Sequence, residues 1–116
     1  MEFSTINLIL VKVEDNFKFH GRRRLLALEL KKKGIVNKQI IKSIESVPRH
    51  LFVDPGLSEQ AYLDKALPIE SNQTISQPYT VAFQTQLLNP VSGEKILEIG
   101  TGSGYQTSIL CFLKTD

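Results

Sequence analysis

The ten residues Ile96–Tyr105, I-L-E-I-G-T-G-S-G-Y, constrain this chain more than any other stretch. Ile96, Leu97 and Ile99 make a short apolar run around one acid, the pattern of a strand buried on both faces. Gly100, Gly102 and Gly104 follow, and glycine lets a backbone turn sharply and approach a ligand with no Cβ in the way. Beyond them the spacing becomes helical, with Tyr105, Ile109, Phe112 and Leu113 on one face. Strand, glycine turn and helix is the unit by which α/β folds hold a nucleotide.

The glycines fall as G-x-G-x-G, and Tyr105 stands where a dinucleotide fingerprint, G-x-G-x-x-G, has its last glycine. Glu98 would be a costly carboxylate at the end of a buried strand unless something partnered it. A cationic or amine-bearing ligand would do so. The run resembles motif I of the S-adenosylmethionine-dependent methyltransferases, in which two hydrophobic residues, an acid and a further hydrophobic residue precede G-x-G-x-G. On this segment alone, a βα turn without a ligand and a nicotinamide or flavin site stand as alternatives.

A chain of 116 residues allows one domain at most, and is short for a doubly wound sheet. Hydrophobic residues at 41% and charged residues at 22% are ordinary for a globular protein. A net charge of +2 is too small to argue for nucleic acid. The basic excess sits in Arg22–Arg24 and Lys31–Lys33, read as the solvated face of one helix. Cys111 is a single cysteine in an apolar helical setting, so it predicts buried packing and no internal disulfide. Two separated histidines and one cysteine offer no metal-ligand cluster. Ile6–Val11 is apolar but too short, and wrongly flanked, for a signal or membrane segment. The expectation is a cytoplasmic protein with no membrane partner.

Residues 1–20 read as an N-terminal arm, with Phe3–Val13 either a strand or a disordered stretch. An αα-hairpin is expected over 22–47. Leu25, Leu26, Leu28 and Leu30 supply the stripe of its first helix, and Gly34 with Ile35 a C-cap. Asn37 is the N-cap of its second helix, which carries Ile40, Ile41, Ile44 and Val47 and is stopped by Pro48. Alone, such a hairpin would equally serve as an interaction module. Residues 48–69 lack clean periodicity and predict turns and short pieces packed by Leu51, Phe52, Val53, Tyr62 and Leu67. His50, beside Arg49, reads as structural or surface rather than catalytic. Pro78 fits the first turn of a helix through Val81, Phe83, Thr85, Leu87 and Leu88, which puts Ser76 or Gln77 at its N-cap. A serine there can bind an anionic group or simply cap the helix, and local sequence favours capping. Asn89-Pro90 ends that helix, and Ser92-Gly93 turns the chain toward Ile96.

V-P-R-H-L-F-V, A-Y-L-D-K-A-L-P-I, Q-T-I-S-Q-P-Y and L-E-I-G-T-G-S-G-Y-Q occur in one order at close spacing. The series, spanning roughly residues 14–110, resembles the protein-L-isoaspartate O-methyltransferase family, repair enzymes for isomerised aspartyl residues. The resemblance implies transfer of a methyl group from S-adenosylmethionine to the α-carboxyl of L-isoaspartyl residues in damaged proteins. It also implies an α/β fold, the N-terminal part of a Rossmann-like methyltransferase domain. Ser76 matches the serine of the family's T-I-S-x-P motif, usually assigned as the active-site residue, with Gln73 and Thr74 shaping the same substrate pocket. Gln77, Pro78, Tyr79 and Thr80 match the segment bordering the cofactor. Glu98, Gly100, Gly102, Ser103 and Gly104 match motif I. Isoaspartyl proteins are the implied partners, with a monomer as the default.

Two departures stand out. Asn72 replaces the glycine that often precedes Q-T-I-S, although asparagine tolerates left-handed backbone better than most residues. The sequence also ends at Asp116, just after the first βα unit, before the acidic residue that in the family binds the ribose hydroxyls. The expected organisation is therefore 21–116 as the N-terminal portion of the domain: hairpin 22–47, a substrate- and cofactor-bordering segment 48–90, and a βα unit 94–113. With no parallel neighbours, one sheet edge would be bare. Weak cofactor binding and inactivity of this truncated chain are expected, the alternative being a non-enzymatic remnant or interaction fragment.

Overall fold

A computed structural model describes residues 15–114, so the reading of Phe3–Val13 lies outside the described residues. The first helix, α1 (Phe17–Lys32), begins five residues ahead of Arg22 because Asn16 caps it, accepting a hydrogen bond from the Phe19 N–H. Its buried stripe is Phe19, Arg23, Leu26, Ala27 and Leu30, one face at helical spacing. Leu25 and Leu28, expected on that stripe, are instead 68% and 51% exposed, one position off the packed face. At the C-terminus Gly34 adopts φ 105°, the Gly34 N–H bonds Lys31 O, and the Ile35 N–H bonds Leu30 O. That pair of bonds is a Schellman motif, with Leu30 and Ile35 buried as its hydrophobic contact.

Asn37 caps α2 (Lys38–Ser46) as expected, accepting from the N–H groups of Gln39 and Ile40. Ile40, Ile41 and Ile44 are buried, α2 packs on α1, and the helix stops before Pro48. Fully burying one such side chain contributes about 1.5–3 kcal/mol, so this hairpin supplies much of the core. Two 3-10 turns follow, Arg49–Phe52 and Pro55–Gln60. An antiparallel hairpin then forms from β1 (Leu67–Ile69) and β2 (Gln73–Ile75), with Leu67 opposite Ile75. Its turn places Ser71 at φ 62° and Asn72 at φ 55°, the left-handed pair that a type I′ hairpin uses. The Asn72 departure thus keeps the turn. The chain closes with α3 (Pro78–Leu88) and α4 (Tyr105–Phe112), which bury Val81, Ala82, Thr85, Tyr105 and Ile109. No helix among the described residues is long and apolar enough to cross a membrane.

Four expectations are corrected. Ile96–Ile99 is not a strand: it has no ladder partner among the described residues, and Leu97 and Ile99 are 86% and 87% exposed. A parallel strand gains its hydrogen bonds and cover from neighbours, and the described residues provide none. Cys111 is exposed, not buried, because α4 turns Ile109 and Leu110 inward instead. Arg49 and His50 are both fully buried, which removes the surface reading of His50. The His50 ring stacks on Phe19 with centroids 3.9 Å apart, and its Nδ1 lies 2.7 Å from Tyr62 Oη.

The fourth concerns the basic triplets, which are not simply solvated. Arg22 pairs with Glu59, and Lys33 with Asp64 and Glu29. Arg23 is 1% exposed, and every guanidinium nitrogen has a partner. Its Nη1 and Nη2 bond both Asp15 oxygens at 2.8 and 2.9 Å, Nη1 also donates to Tyr62 Oη, and Nε donates to Glu45 O. Burial alone would raise the Asp15 pKa, but the hydrogen bond and charge of Arg23 outweigh it and hold the carboxyl below its usual value.

Arg23→Lys, which keeps the charge but not the fork, should lower the unfolding free energy by about 3 kcal/mol in urea melts. The Asp15 contribution is fully present above its unfolded pKa of about 3.9 and is lost as pH falls through the lower folded value. Asp15→Asn should therefore flatten the acid limb of the stability–pH curve. An unchanged acid limb would show that the pair contributes nothing.

Candidate active site

The hairpin ends where β2 hands the chain to α3. Ile75 is buried, and strand alternation turns Thr74 and Ser76 away from it toward solvent. Across from them the glycine turn leads into α4. Gly100, Gly102 and Gly104 all have positive φ, at 72°, 57° and 87°. A side chain at any of the three would be strained. The turn is fastened at its helix end: Gly104 N–H bonds Thr101 O at 3.1 Å, and Ser103 Oγ accepts from the Tyr105 N–H at 3.2 Å.

These two walls border one cavity of about 360 Å³. Thr74 and Ser76 line one side and Glu98, Gly100, Gly102 and Ser103, with Tyr105 directly after the turn, the other, over a floor that includes Val81 and Thr85. Gln73 lines an adjoining cavity of about 920 Å³ with Phe52, Pro68 and Ile69, and Gly102 and Ser103 border both. Gly104 sits at the α4 N-cap against Phe52. The half-buried Glu98 accepts a hydrogen bond from Thr107 Oγ1.

Gln77, Pro78, Tyr79 and Thr80 do not line the Ser76 cavity. They start α3 instead, with Gln77 at the N-cap and Pro78 at the first helical position. Neither Ser76 nor Gln77 caps the helix through its side chain. The cap comes from a distance: Asp64 Oδ1 accepts from the Tyr79 N–H at 2.8 Å while Oδ2 pairs with Lys33. Ser76, freed from capping, leaves its hydroxyl exposed at the cavity.

Sequence reasoning passed over Arg49. Its Nε donates to Ala61 O at 2.8 Å, and its Nη2 to Ser76 O at 2.9 Å and Lys65 O at 3.3 Å. The guanidinium carbon lies 4.8 Å from the Tyr105 ring centroid. Burial pulls Arg49 below the ordinary guanidinium value and pushes the Tyr105 phenol up to about 12. At neutral pH the pair is a cation over a neutral ring. The available signal was a lone arginine among Val47, Leu51, Phe52 and Val53, where a charge is either misplaced or partnered.

Comparison with known proteins gives one consistent result. Residues 21–114 match the family model described as protein-L-isoaspartate(D-aspartate) O-methyltransferase. A protein-L-isoaspartate O-methyltransferase of Christiangramia forsetii is 52% identical over 101 residues, 87% of this chain and 47% of that protein. One from Flavobacterium psychrophilum is 54% identical over 101 residues, with the same coverage of both. A solved structure bearing the name protein-L-isoaspartate O-methyltransferase aligns with TM-score 0.68 and 29% identity, over 80% of this chain and 32% of its own. The chain spans about half the length of the curated relatives it matches.

Because its hydroxyl caps nothing, Ser76→Ala should leave the urea unfolding free energy within about 0.5 kcal/mol of wild type. Asp64→Ala, which removes the α3 cap, should cost about 1–2 kcal/mol in the same measurement. A larger loss for Ser76→Ala than for Asp64→Ala would return the serine to a capping role.

Proposed function

Since the chain belongs to the protein-L-isoaspartate(D-aspartate) O-methyltransferase family, we propose that the cavity between Ser76 and the glycine turn is a methyl-transfer site. S-adenosylmethionine is its cofactor, and the α-carboxyl of an L-isoaspartyl residue in a damaged protein is its acceptor. The observation that carries this reading is that Thr74 and Ser76 share one cavity with Glu98, Gly100, Gly102 and Ser103.

The residues present suit such a cofactor. An added Cβ would meet nothing within 4 Å at Gly100, so the backbone there is open to close approach. The N–H groups of Gly100, Thr101, Gly102 and Ser103 donate to no described residue. Successive free N–H groups in left-handed backbone form a concavity suited to a carboxylate, and Glu98 supplies an opposite charge for an ammonium. The methionine portion of the cofactor carries both groups. When bound, the cofactor would supply an electrophilic methyl group on a sulfonium, whose sulfur would keep the bonding pair on transfer to the acceptor oxygen.

The acceptor carboxylate has a pKa of about 4 and is ionised at neutral pH, so the site needs no strong general base. The absence of an acid–base dyad among the lining residues is therefore consistent with the chemistry. Ser76 acts as a hydrogen-bond donor that orients the acceptor carboxylate, and Thr74 and Gln73 shape the approach. Gln77–Thr80 contribute as the rigid first turn of α3 rather than as lining. Alignment of this kind carries most of the rate in a transfer between preformed partners.

A second reading rests on the exposure of Leu97 and Ile99. With its strand side uncovered, the turn would hold cofactor weakly, and the chain would be a non-enzymatic remnant or interaction fragment. Calorimetric titration with S-adenosylmethionine separates the two. The methyl-transfer reading expects a binding isotherm, weakened about tenfold or more by Gly102→Val, whose φ no β-branched residue tolerates. It also expects Ser76→Ala to bind cofactor normally while losing methylation of an isoaspartyl peptide. A flat wild-type trace would favour the remnant.

A further inference from the structure

Arg49 lines neither cavity, yet it touches both walls of the Ser76 site. Ser76 stands between the last ladder residue, Ile75, and the helix-starting Pro78, so the direction its carbonyl takes decides how the chain leaves the sheet. The Arg49 guanidinium holds that carbonyl from one edge. Its central carbon lies over the ring of Tyr105, the first residue of α4 and the immediate neighbour of Gly104. Phe52, in the same 3-10 turn as Arg49, meets the Tyr105 ring edge-on with centroids 5.6 Å apart.

We propose that Arg49 is the positioning residue that fixes how far Ser76 stands from the glycine turn, bonding the Ser76 carbonyl along its edge while its central carbon lies over the Tyr105 ring. Only a planar, delocalised cation can do both at once; a lysine ammonium can hold a carbonyl or sit over a ring, but has no second surface. The carbonyls of Ala61, on Nε, and of Lys65, on the same Nη2 that holds Ser76, fix the plane. Full burial keeps water from replacing these bonds. The catalytic consequence rests on the methyl-transfer reading: a misplacement of about 1 Å between acceptor and donor can cost about a hundredfold in rate. The clamp itself belongs to the ligand-free chain, where it can be tested directly.

The experiment is carbon-13 and nitrogen-15 NMR on the 116-residue chain and three variants. It reads the Ser76 carbonyl shift, which reports the bond from Arg49, and amide exchange at Tyr79 and Gly104. Arg49→Lys should move the Ser76 carbonyl and speed exchange about tenfold at both amides, while amides of α1 and α2 keep wild-type rates. Tyr105→Leu, made on the opposite wall, should also move the Ser76 carbonyl, because the guanidinium loses its platform. Tyr105→Phe keeps the ring and should restore the wild-type shift and rates. A role in stability alone would affect all regions together and would not respond to the ring. The proposal is overturned if the change made by Tyr105→Leu stays on its own wall, or if Tyr105→Phe behaves like it. The Tyr105 pair decides even if Arg49→Lys does not fold. A flat S-adenosylmethionine titration of the wild type would count against the methyl-transfer reading alone and leave the carbonyl shift to judge Arg49.

Discussion

A guanidinium withdrawn from water loses solvation worth several kcal/mol, and only fixed hydrogen bonds and counter-charges can replace it. This protein withdraws two, and the parts of the chain that lack regular structure, with the end of α2, supply partners to every nitrogen of Arg23 and to Nε and Nη2 of Arg49, whose Nη1 has no hydrogen-bond partner among the described residues. Arg23 gathers Asp15, the end of α2 at Glu45 and the Tyr62 hydroxyl around α1. Arg49 gathers Ala61, Lys65 and Ser76. Between them they organise the region between α2 and β1, in which the regular pieces are two 3-10 turns. Such a region has few ladder bonds of its own, so its carbonyls are available, and each cation selects one arrangement of them. The two cations differ in their counter-charge. Arg23 has a carboxylate in bidentate contact, whereas Arg49 has only carbonyl dipoles and an aromatic face.

The helical hairpin was legible in the sequence because its determinants are local. The capping bonds of Asn37 and Gly34 reach residues within five positions, although Gln86 of α3 also bonds the Asn37 N–H and Gly34 O, and the isoleucine spacing of α2 matches its buried face. Of the expected α1 stripe, Leu26 and Leu30 are buried, and the other half fails for the opposite reason. Leu25 and Leu28 look like core by residue type, but Arg23 takes a place on the buried face that no hydropathy pattern would assign to it. Its burial depends on Asp15, Glu45 and Tyr62, up to 39 residues away, so periodicity within the helix cannot show it. The β1–β2 hairpin was hidden because each strand is three residues long, too short for alternation to register.

The candidate site was legible where family motifs carry it and opaque where tertiary contacts decide. Ser76 was identified through Q-T-I-S-Q-P-Y, but its local reading as a helix cap is wrong. A carboxylate 15 residues upstream of Tyr79 does the capping, and only the tertiary fold brings Asp64, paired with Lys33, to the start of α3. Gln77–Thr80 adjoin Ser76 in sequence, yet the turn into α3 points them away from the cavity that Ser76 lines. Neighbours in sequence diverge at a strand-to-helix junction because one element alternates every residue and the other advances by 100° per residue.

Among the described residues the glycine turn is held mainly from its helix side, the strand side adding the bond from Thr107 Oγ1 to Glu98, and this decides which half of the cavity is preorganised. On the helix side, Gly104 bonds Thr101 O, Ser103 Oγ takes the Tyr105 N–H, and the buried Tyr105 ring lies against Phe52 and Arg49. On the strand side, Ile96 and Glu98 turn partly inward, while Leu97 and Ile99 stand in solvent. The alternation is that of a strand, but the ladder that would fix it is absent among the described residues. Covering two such side chains would be worth about 1.5–3 kcal/mol each, an amount comparable to a tenfold to hundredfold change in an equilibrium constant. Pairing of that edge and occupancy of the glycine turn are thus linked through one segment: whatever orders Ile96–Ile99 also places Glu98. The half of the site built on α4 and Arg49 does not depend on that order, because its contacts lie within the helix, the hairpin and the core beneath them.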